Sequence, residues 1–317
     1  MKKDKIYTFL SLAFTTATVI HIGNRYISYH SDLKNVLSLT NCSYYNWKYG
    51  RIFYTIKGNG KPLLLLHDLE SGGSAYEWNR VEEKLAENHT VYSVDLPGCG
   101  RSEKNSMIYT NFLFVQMVTS FVKDVIRTRT DVITSGYSAA IVAMANVYDR
   151  NCFDKVIFVN PTSLRTLEKN VTFRSKLYKK IVDLPVFGTA IYNMHVSHES
   201  ISNLFINRYF NNPFRVDRDI LDAYYEAAHK GRYNCKFLYT SLAGGYLYGN
   251  NIKNAIQRID ENTVILSGEC EKNKDKIVKQ YIRENPSIRT AQIYGTRHLP
   301  HIEKPEEFSE TVLSYLS

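Results

Sequence analysis

Short apolar runs recur along the chain, and stretches with helical periodicity separate them. The runs are apolar on both faces, which is typical of strands buried in the middle of a parallel sheet. These runs are Pro62–Leu66, Thr90–Asp95, Val132–Thr134, Lys155–Val159 and Thr263–Ser267. Strands that alternate with helices in this way predict the α/β class, with a doubly wound and mostly parallel sheet.

The pattern changes in two places and so predicts three parts. Residues 47–57 alternate as strands around Gly50, whereas residues 162–255 contain long helical stretches rich in Tyr and Phe, such as 176–193 and 217–229. We therefore predict a core over residues 47–161 and 256–317 and a helical insertion over residues 162–255. Residues 1–46 form a separate N-terminal segment, in which 26–46 is a helical or irregular connector.

The N-terminal segment begins with Lys2, Lys3 and Lys5 and continues into Ile6–Ile22, which carries no charge. Its 17 residues reach the lower limit for a helix that spans a bilayer. We predict an uncleaved single-pass anchor that contacts membrane lipid. A signal peptide and an amphipathic helix that lies on the domain or on a bilayer are the alternatives. A secreted or a cytoplasmic protein is the corresponding alternative location.

Composition limits the classes of partner. The net charge is +9, but Lys and Arg are spread along the chain and form no long basic run. This distribution predicts a solvated basic surface and no nucleic-acid partner. The five Cys are widely spaced and form no C-x-x-C pair, so neither a disulfide framework nor a metal site is expected. We expect no cofactor.

The most informative stretch follows the run at Val132–Thr134. There Gly136, Ser138, Ala139 and Ala140 precede a stretch of small and apolar residues at helical spacing. Small residues let a strand and a helix approach closely around a tight bend. Such a bend exposes the Ser138 hydroxyl at the N-terminus of the helix, where partial positive charge stabilises a developing oxyanion.

This stretch resembles the G-x-S-x-G nucleophile elbow of the α/β-hydrolase superfamily, with Ala140 in place of the last Gly. Four further segments are similar to motifs of the same family, and the resemblance covers residues 47–317. They are LLLLHD at 63–68, DLPGCGRS at 95–102, the strand and loop at 263–271, and GTRHLPHIEKPEEF at 295–308. The order serine, acid, histidine is also that of this fold.

The resemblance implies a lidded serine hydrolase, with residues 162–255 as the lid. Ser138 matches the nucleophile, His298 the base and Glu271 the acid, while the backbone N–H groups of Leu69 and Ala139 match the oxyanion hole. Two other carboxylates near the acid position, Glu269 and Asp275, are alternatives. The second histidine of the motif, His301, is expected to pack in the loop.

We accordingly predict hydrolysis of an ester or thioester of a small apolar acyl substrate, through an acyl-enzyme, as in carboxylesterases. Serine rather than aspartate at position 138 argues against dehalogenase or epoxide hydrolase chemistry. Asp68 departs from the family, which has Gly there. A carboxylate about 5 Å from an oxyanion would cost on the order of 3 kcal/mol at an effective dielectric of 20. A catalytically inactive hydrolase-fold protein that binds an apolar ligand at the membrane is the alternative function.

Overall fold

The computed structural model describes residues 2–39, 42–249, 252–259 and 262–317. The side chains of Lys2 and Lys3, which entered the anchor prediction, lie outside the described residues. The strands are β1 (Ser43–Trp47), β2 (Gly50–Lys57), β3 (Lys61–Leu66), β4 (His89–Val94), β5 (Thr130–Ser135), β6 (Phe153–Val159), β7 (Thr263–Gly268) and β8 (Arg289–Ile293).

The helices before the insertion are α1 (Lys2–Ser31), α2 (Glu82–Ala86), α3 (Asn111–Phe121) and α4 (Ser138–Tyr148). The insertion contributes α5 (Leu164–Leu167), α6 (Phe173–Asp183), α7 (Phe187–His195), α8 (His198–Leu204), α9 (Arg218–His229), α10 (Lys236–Ala243) and α11 (Ile252–Gln257). The chain ends with α12 (Lys274–Glu284), α13 (Pro300–Glu303) and α14 (Pro305–Leu316).

The strands form one sheet in the order β1-β2-β4-β3-β5-β6-β7-β8. The pairs β1–β2 and β2–β4 are antiparallel, and the other neighbours are parallel. The predicted doubly wound, mostly parallel sheet is therefore confirmed.

The apolar runs are explained by a core on both faces of the sheet. In β3, Leu64 and Leu66 pack in the core beneath α3 and α4, whereas Leu63 and Leu65 pack on the opposite face with Trp78 and Phe308. Successive side chains of a strand point to opposite faces, so a strand that is covered on both faces has no polar alternation.

Three details differ from the sequence prediction. The sheet begins at Ser43 rather than at residue 47, and the edge strand β8 was not predicted because most of its side chains are exposed. The helical stretch predicted over 176–193 is two helices, α6 and α7. Pro185 stands between them; it lacks an N–H group and disfavours helical geometry in the residue before it, so the helix ends.

The insertion lies between β6 and β7 and packs against the loop that precedes α13. Phe205 and Tyr209, which follow α8, form a buried cluster with Leu299 and Ile302. The backbone carbonyl of Tyr209 accepts a hydrogen bond from the N–H of His298 at 3.0 Å. The insertion therefore contacts the segment on which the predicted catalytic histidine lies.

Helix α1 extends beyond the predicted apolar stretch. Its segment Asp4–Ser31 is long and apolar enough to cross a membrane by length and composition, a property that signal sequences share. The core helix of a soluble protein would be covered, but Phe9 and Phe14 are 70% and 75% exposed. Near its C-terminal end α1 contacts the insertion, since the Asn24 side chain donates to the Val186 carbonyl and accepts from Asn193.

Candidate active site

The carboxyl edge of the sheet collects the side chains that the sequence singled out. Asp68 follows β3, Ser138 follows β5, Glu271 follows β7, and His298 follows β8. Parallel strands end at the same edge, so residues far apart in sequence meet there. Asp68 Oδ2 and His298 Nε2, for example, lie 3.5 Å apart across 230 positions of sequence.

The turn after β5 bends two residues earlier than the motif predicts. Its left-handed residue is Gly136, with φ of +54°. Ser138 already begins α4 and is fully buried, and its Oγ donates to the backbone carbonyl of His67 at 2.6 Å. The predicted exposure of the Ser138 hydroxyl at the tip is therefore wrong, because the first turn of the helix directs it back towards the end of β3. Its role as nucleophile stays a prediction.

The carboxylate of Asp68 fills the space over Gly136, at the tip of the turn. A Cβ atom added to Gly136 would lie 2.1 Å from Asp68 Cγ and 2.1 Å from Oδ2. No side chain fits at position 136 while Asp68 keeps its place. Position 68, where the family motif has Gly, therefore carries a carboxylate. Position 136, at the tip of the turn, is Gly and leaves room for that carboxylate.

Two backbone N–H groups converge on one oxygen of this carboxylate. The N–H groups of Leu69 and Tyr137 each donate to Asp68 Oδ1 at 2.7 Å. Leu69 was predicted as an oxyanion donor and its N–H does point into the site. The second N–H group at this oxygen is that of Tyr137, the residue that follows the tip. The oxyanion roles of Leu69 and Ala139 stay predictions. The N–H groups of Leu69 and Tyr137 thus bind an oxygen of the protein's own Asp68 carboxylate.

His298 lies between two carboxylates. Its Nε2 is 3.5 Å from Asp68 Oδ2, and its Nδ1 is 3.6 Å from Glu271 Oε2. Burial favours the neutral imidazole, but the hydrogen bonds and charges of Asp68 and Glu271 outweigh it and raise the pKa of His298 to about 10. The imidazole is therefore protonated at neutral pH. Among the described residues no hydrogen bond joins His298 to Ser138.

A third carboxyl group, that of Glu70, lies near Asp68 and His298. Burial first, and then the negative charge of Asp68, raise the pKa of Glu70 to about 8, so it is largely neutral at pH 7. The hydroxyl of Tyr209 donates to Glu70 Oε2 at 2.6 Å, and the Tyr209 ring stacks on His298 with centroids 4.9 Å apart. Sequence reasoning missed both residues. A carboxyl group two positions after Asp68, in a loop of otherwise small and apolar residues, was the available signal.

Buried polar residues hold the loops in place. The side-chain N–H groups of Asn160, after β6, donate to the carbonyls of Arg297 and His298, and its Oδ1 accepts from the Gly268 N–H at 3.2 Å. This residue thus ties the histidine loop to the end of β7. Sequence reasoning did not identify Asn160 as a positioning residue.

The loop after β3 is held by a second buried group. Glu77 accepts from the Asp68 N–H at 3.1 Å, and its other oxygen lies 3.3 Å from Nε2 of His301, with both side chains fully buried. His301 also stacks on Trp78, with centroids 4.3 Å apart. His301 therefore packs in the interior, as expected. Of the alternative acids, Glu269 accepts from the Gly295 N–H and Asp275 lies in the first turn of α12.

The three ionisable side chains of the site are mostly, but not fully, covered by the protein. The side chains of Asp68, Glu271 and His298 are 16%, 18% and 19% exposed. Two cavities lie elsewhere, one of about 490 Å³ beside α6 and one of about 1090 Å³ between α1 and the insertion. Asp68 and His298 line neither of them.

A family model described as the alpha/beta hydrolase family matches residues 63–311. Among curated relatives, the soluble epoxide hydrolase of Corynebacterium sp. (strain C12) is 48% identical over 54 residues, which is 17% of this chain and only 18% of that enzyme. The 2-hydroxy-6-oxo-6-(2'-aminophenyl)hexa-2,4-dienoic acid hydrolase of Metapseudomonas resinovorans is 21% identical over 275 residues, covering 83% of this chain and 87% of that enzyme.

Among solved structures, a membrane phospholipase A described as a bacterial virulence factor superposes with a TM-score of 0.66 at 17% identity. The match covers 100% of this chain and 98% of that protein, so it includes the region of α1. At this identity the likeness establishes the fold.

Proposed function

Because this chain belongs to the alpha/beta hydrolase family, we propose that it is a hydrolase of an apolar substrate whose reaction centre is the group Asp68, His298 and Glu271. The observation that carries the proposal is the Asp68 carboxylate. Its Oδ1 is bound by two N–H groups, and its Oδ2 faces His298. Ionisable groups whose pKa values are strongly shifted by specific neighbours are typical of catalytic sites.

The charges of this group provide both an acid and a base. While Asp68 is ionised, His298 is an imidazolium held by two carboxylates, and it can donate a proton. When the negative charge of Asp68 is consumed, His298 keeps Glu271 as its remaining ionic partner, and the pKa of His298 falls because one of the two groups that raise it is gone. The imidazole then accepts a proton from water, so the same side chain serves both halves of a hydrolytic cycle.

The apolar character of the substrate is inferred from the surroundings of the site. The insertion brings Phe205 and Tyr209 against Leu299, next to His298. Side chains of this kind exclude water and favour an apolar ligand near the reacting atoms.

The acyl-enzyme route through Ser138 is the second version of the proposal. Its support is proximity, since Ser138 Oγ binds the carbonyl of His67, the residue before Asp68. This route needs Ser138 to leave that carbonyl and needs Asp68 to vacate the oxyanion donors. An ester carbonyl would otherwise develop negative charge beside the Asp68 carboxylate, which is unfavourable.

We further propose that α1 anchors the protein in a membrane. Most side chains of Ile6–Ile22 are exposed, and a few are partly covered. The C-terminal part of α1 contacts the insertion, where Asn24 donates to the Val186 carbonyl. The fold likeness to a membrane phospholipase A that extends over α1 supports this arrangement. The carboxylesterase-like activity predicted from the sequence requires the acyl-enzyme route through Ser138.

The test is hydrolysis by purified full-length protein in detergent. The substrates are p-nitrophenyl butyrate, p-nitrophenyl octanoate and styrene oxide. We expect at least one to be hydrolysed, with the rate reduced about 100-fold or more in His298→Ala, as for the loss of a general acid–base group. Asp275→Asn, in an exposed helix turn, is the matched control and should retain the rate. Hydrolysis of none of the three by folded protein would refute the proposal and favour a ligand-binding role.

A fluorophosphonate probe separates the two versions. We expect no covalent labelling of Ser138, because its hydroxyl is buried and bound to a carbonyl. Labelling of Ser138 that disappears in Ser138→Ala and slows in His298→Ala would instead establish the acyl-enzyme route.

A further inference from the structure

We propose that Asp68 is the catalytic nucleophile and that the substrate class is an apolar epoxide. The inference rests on the proposed function, since it names the bond-forming atom and the substrate of the same site. The proposed nucleophile comes from the loop after β3, whereas the tip of the turn after β5 is Gly136.

The binding of the two carboxylate oxygens supports a nucleophilic role. Oδ1 accepts the N–H groups of Leu69 and Tyr137, both at 2.7 Å, so the carboxylate is fixed in orientation. Within the described parts of the chain, Oδ2 makes one polar side-chain contact, at 3.5 Å to His298 Nε2, and it lies over Gly136, which has no side chain. Oδ1 is thus fixed by two hydrogen bonds, whereas Oδ2 makes only a long contact. This difference suits a carboxylate whose Oδ2 forms a covalent ester.

The same geometry selects the electrophile. An ester substrate would need the Leu69 and Tyr137 donors for its own oxyanion, but Asp68 Oδ1 occupies them. A tetrahedral carbon needs no such donors during the first attack. Among tetrahedral electrophiles we infer an epoxide, because its leaving oxygen requires a proton and the protonated His298 beside Oδ2 carries one.

In the first step, Oδ2 forms a bond to one epoxide carbon and the carbon–oxygen bond of the ring breaks. The released alkoxide takes the proton from His298, which leaves a hydroxyalkyl ester on Asp68 and a neutral imidazole. The negative charge of Asp68 has then been consumed, and Glu271 remains beside His298 at 3.6 Å.

In the second step, His298 takes a proton from water, and the hydroxide attacks Asp68 Cγ. The oxyanion that forms on Oδ1 is stabilised by the N–H groups of Leu69 and Tyr137, which already point at this atom. The tetrahedral intermediate collapses, the diol leaves with a proton from His298, and the new carboxylic acid returns its proton to the imidazole. The sum is epoxide plus water giving a diol, with no other reactant.

The decisive experiment is a single turnover in water enriched in ¹⁸O, with full-length protein in detergent in excess over styrene oxide. We expect the first diol to contain only ¹⁶O at the newly formed hydroxyl. The tryptic peptide that contains Asp68 should gain one ¹⁸O, because the water oxygen enters the carboxylate. Asp68→Asn should lose turnover by about 1000-fold or more, since an amide is a poor nucleophile, whereas Asp275→Asn should not.

A second variant does not depend on turnover. In Glu271→Gln the ester should form, because His298 still lies beside Asp68 and carries the proton for the first step. The ester should hydrolyse slowly, because the imidazolium that forms in the second step lacks its remaining carboxylate partner. Intact mass should therefore increase by one styrene oxide, and the modified residue should map to Asp68. Diol that carries ¹⁸O in the first turnover, with Asp68 unlabelled, would overturn the nucleophile and leave the hydrolase proposal standing. Conversion of the esters but not of styrene oxide would overturn the substrate class and favour the Ser138 route.

Discussion

At the scale of single residues, the side chain at position 68 determines what can stand at position 136. The Asp68 carboxylate and a Cβ at position 136 would be 2.1 Å apart, so Asp68 in this conformation is incompatible with any residue other than Gly at position 136. Asp68 also accepts the backbone N–H groups of Leu69, in its own loop, and of Tyr137, in the turn after β5. The geometry of the site therefore depends on both residues together.

This coupling predicts the behaviour of a double variant. Asp68→Gly with Gly136→Ser removes the carboxylate, frees the donors of Leu69 and Tyr137, and introduces a hydroxyl at the tip of the turn near His298. We expect the introduced serine to react with a fluorophosphonate probe and to hydrolyse p-nitrophenyl butyrate. Strain at φ of +54° costs about 1–2 kcal/mol of folding stability.

The single variants are the controls for this design. Gly136→Ser alone should lower the melting temperature more than the double variant does, because the new Cβ meets Asp68. Asp68→Gly alone leaves no side chain at the tip and should not be labelled there. Equal labelling of wild type and double variant would contradict the assignment of Gly136 as the tip.

The pKa of His298 predicts a pH dependence of stability. Its pKa is raised from 6.5 to about 10 by Asp68 and Glu271, against the opposing effect of burial. A raised folded-state pKa contributes stability that is fully present below pH 6.5 and is lost as the pH rises through 10. The melting temperature of wild type relative to His298→Gln should therefore decline between pH 6.5 and 10. A difference that grows over this interval would show that the imidazole is neutral in the folded protein.

At the scale of elements, the loop after β4 supports the edge of the sheet on which the site lies. Asp95 is fully buried, accepts from the Ala75 N–H, and pairs with Arg101 at 2.8 Å. The Arg101 guanidinium also lies 3.8 Å from the centroid of Phe53 in β2. Burial raises the pKa of Asp95, but the charge and hydrogen bonds of Arg101 outweigh it and hold the pKa below its ordinary value. The pair therefore joins β4, β2 and the turn at Ala75.

We expect Arg101→Met to destabilise the fold by about 3–5 kcal/mol, because it leaves a buried carboxylate without its charge partner. The matched control is Arg51→Met. The Arg51–Glu103 pair is 4.0 Å apart, with the two side chains 67% and 44% exposed, and such a pair contributes at most about 1 kcal/mol. Urea unfolding of both variants measures the difference. Equal effects would show that Asp95 is stabilised by other groups.

At the scale of the whole molecule, α1 joins two environments. Its first turns expose apolar side chains, whereas the segment after it is bound to the insertion. Lys34 pairs with Asp222 at 2.5 Å, and the N–H of Leu37, a buried residue, donates to Glu226. An anchor in this position would hold the insertion close to the membrane surface.

Fractionation of two truncated forms tests this arrangement. Full-length protein should sediment with membranes and require detergent for release. A chain that begins at Asn24 lacks the apolar turns but keeps the contacts of Lys34 and Leu37, so it should be soluble with an unchanged melting temperature. A chain that begins near Asn41, a residue outside the described set, should be soluble but less stable. Full-length protein found in the soluble fraction with an intact N-terminus would contradict the anchor.

The sequence by itself determined the sheet and the loops on which the chemistry lies. Buried runs such as Pro62–Leu66 can be recognised locally, because a strand covered on both faces contains no polar alternation. His298 and Glu271 were located by motifs whose spacing from their strands is short, and the structure brings the two side chains within 3.6 Å. Their catalytic roles stay predictions.

Only the tertiary structure decided which atom stands at the tip of the turn. The stretch Gly136–Ala140 fits two registers, because Gly satisfies either a position before the tip or the tip itself. The choice depends on where β5 stops pairing with β6, which is at Ser135, and on the arrival of Asp68 from a different strand. A contact between residues 68 positions apart leaves no trace in local periodicity. Only the folded chain therefore shows that Gly136 rather than Ser138 is at the tip and that the Asp68 carboxylate lies over it.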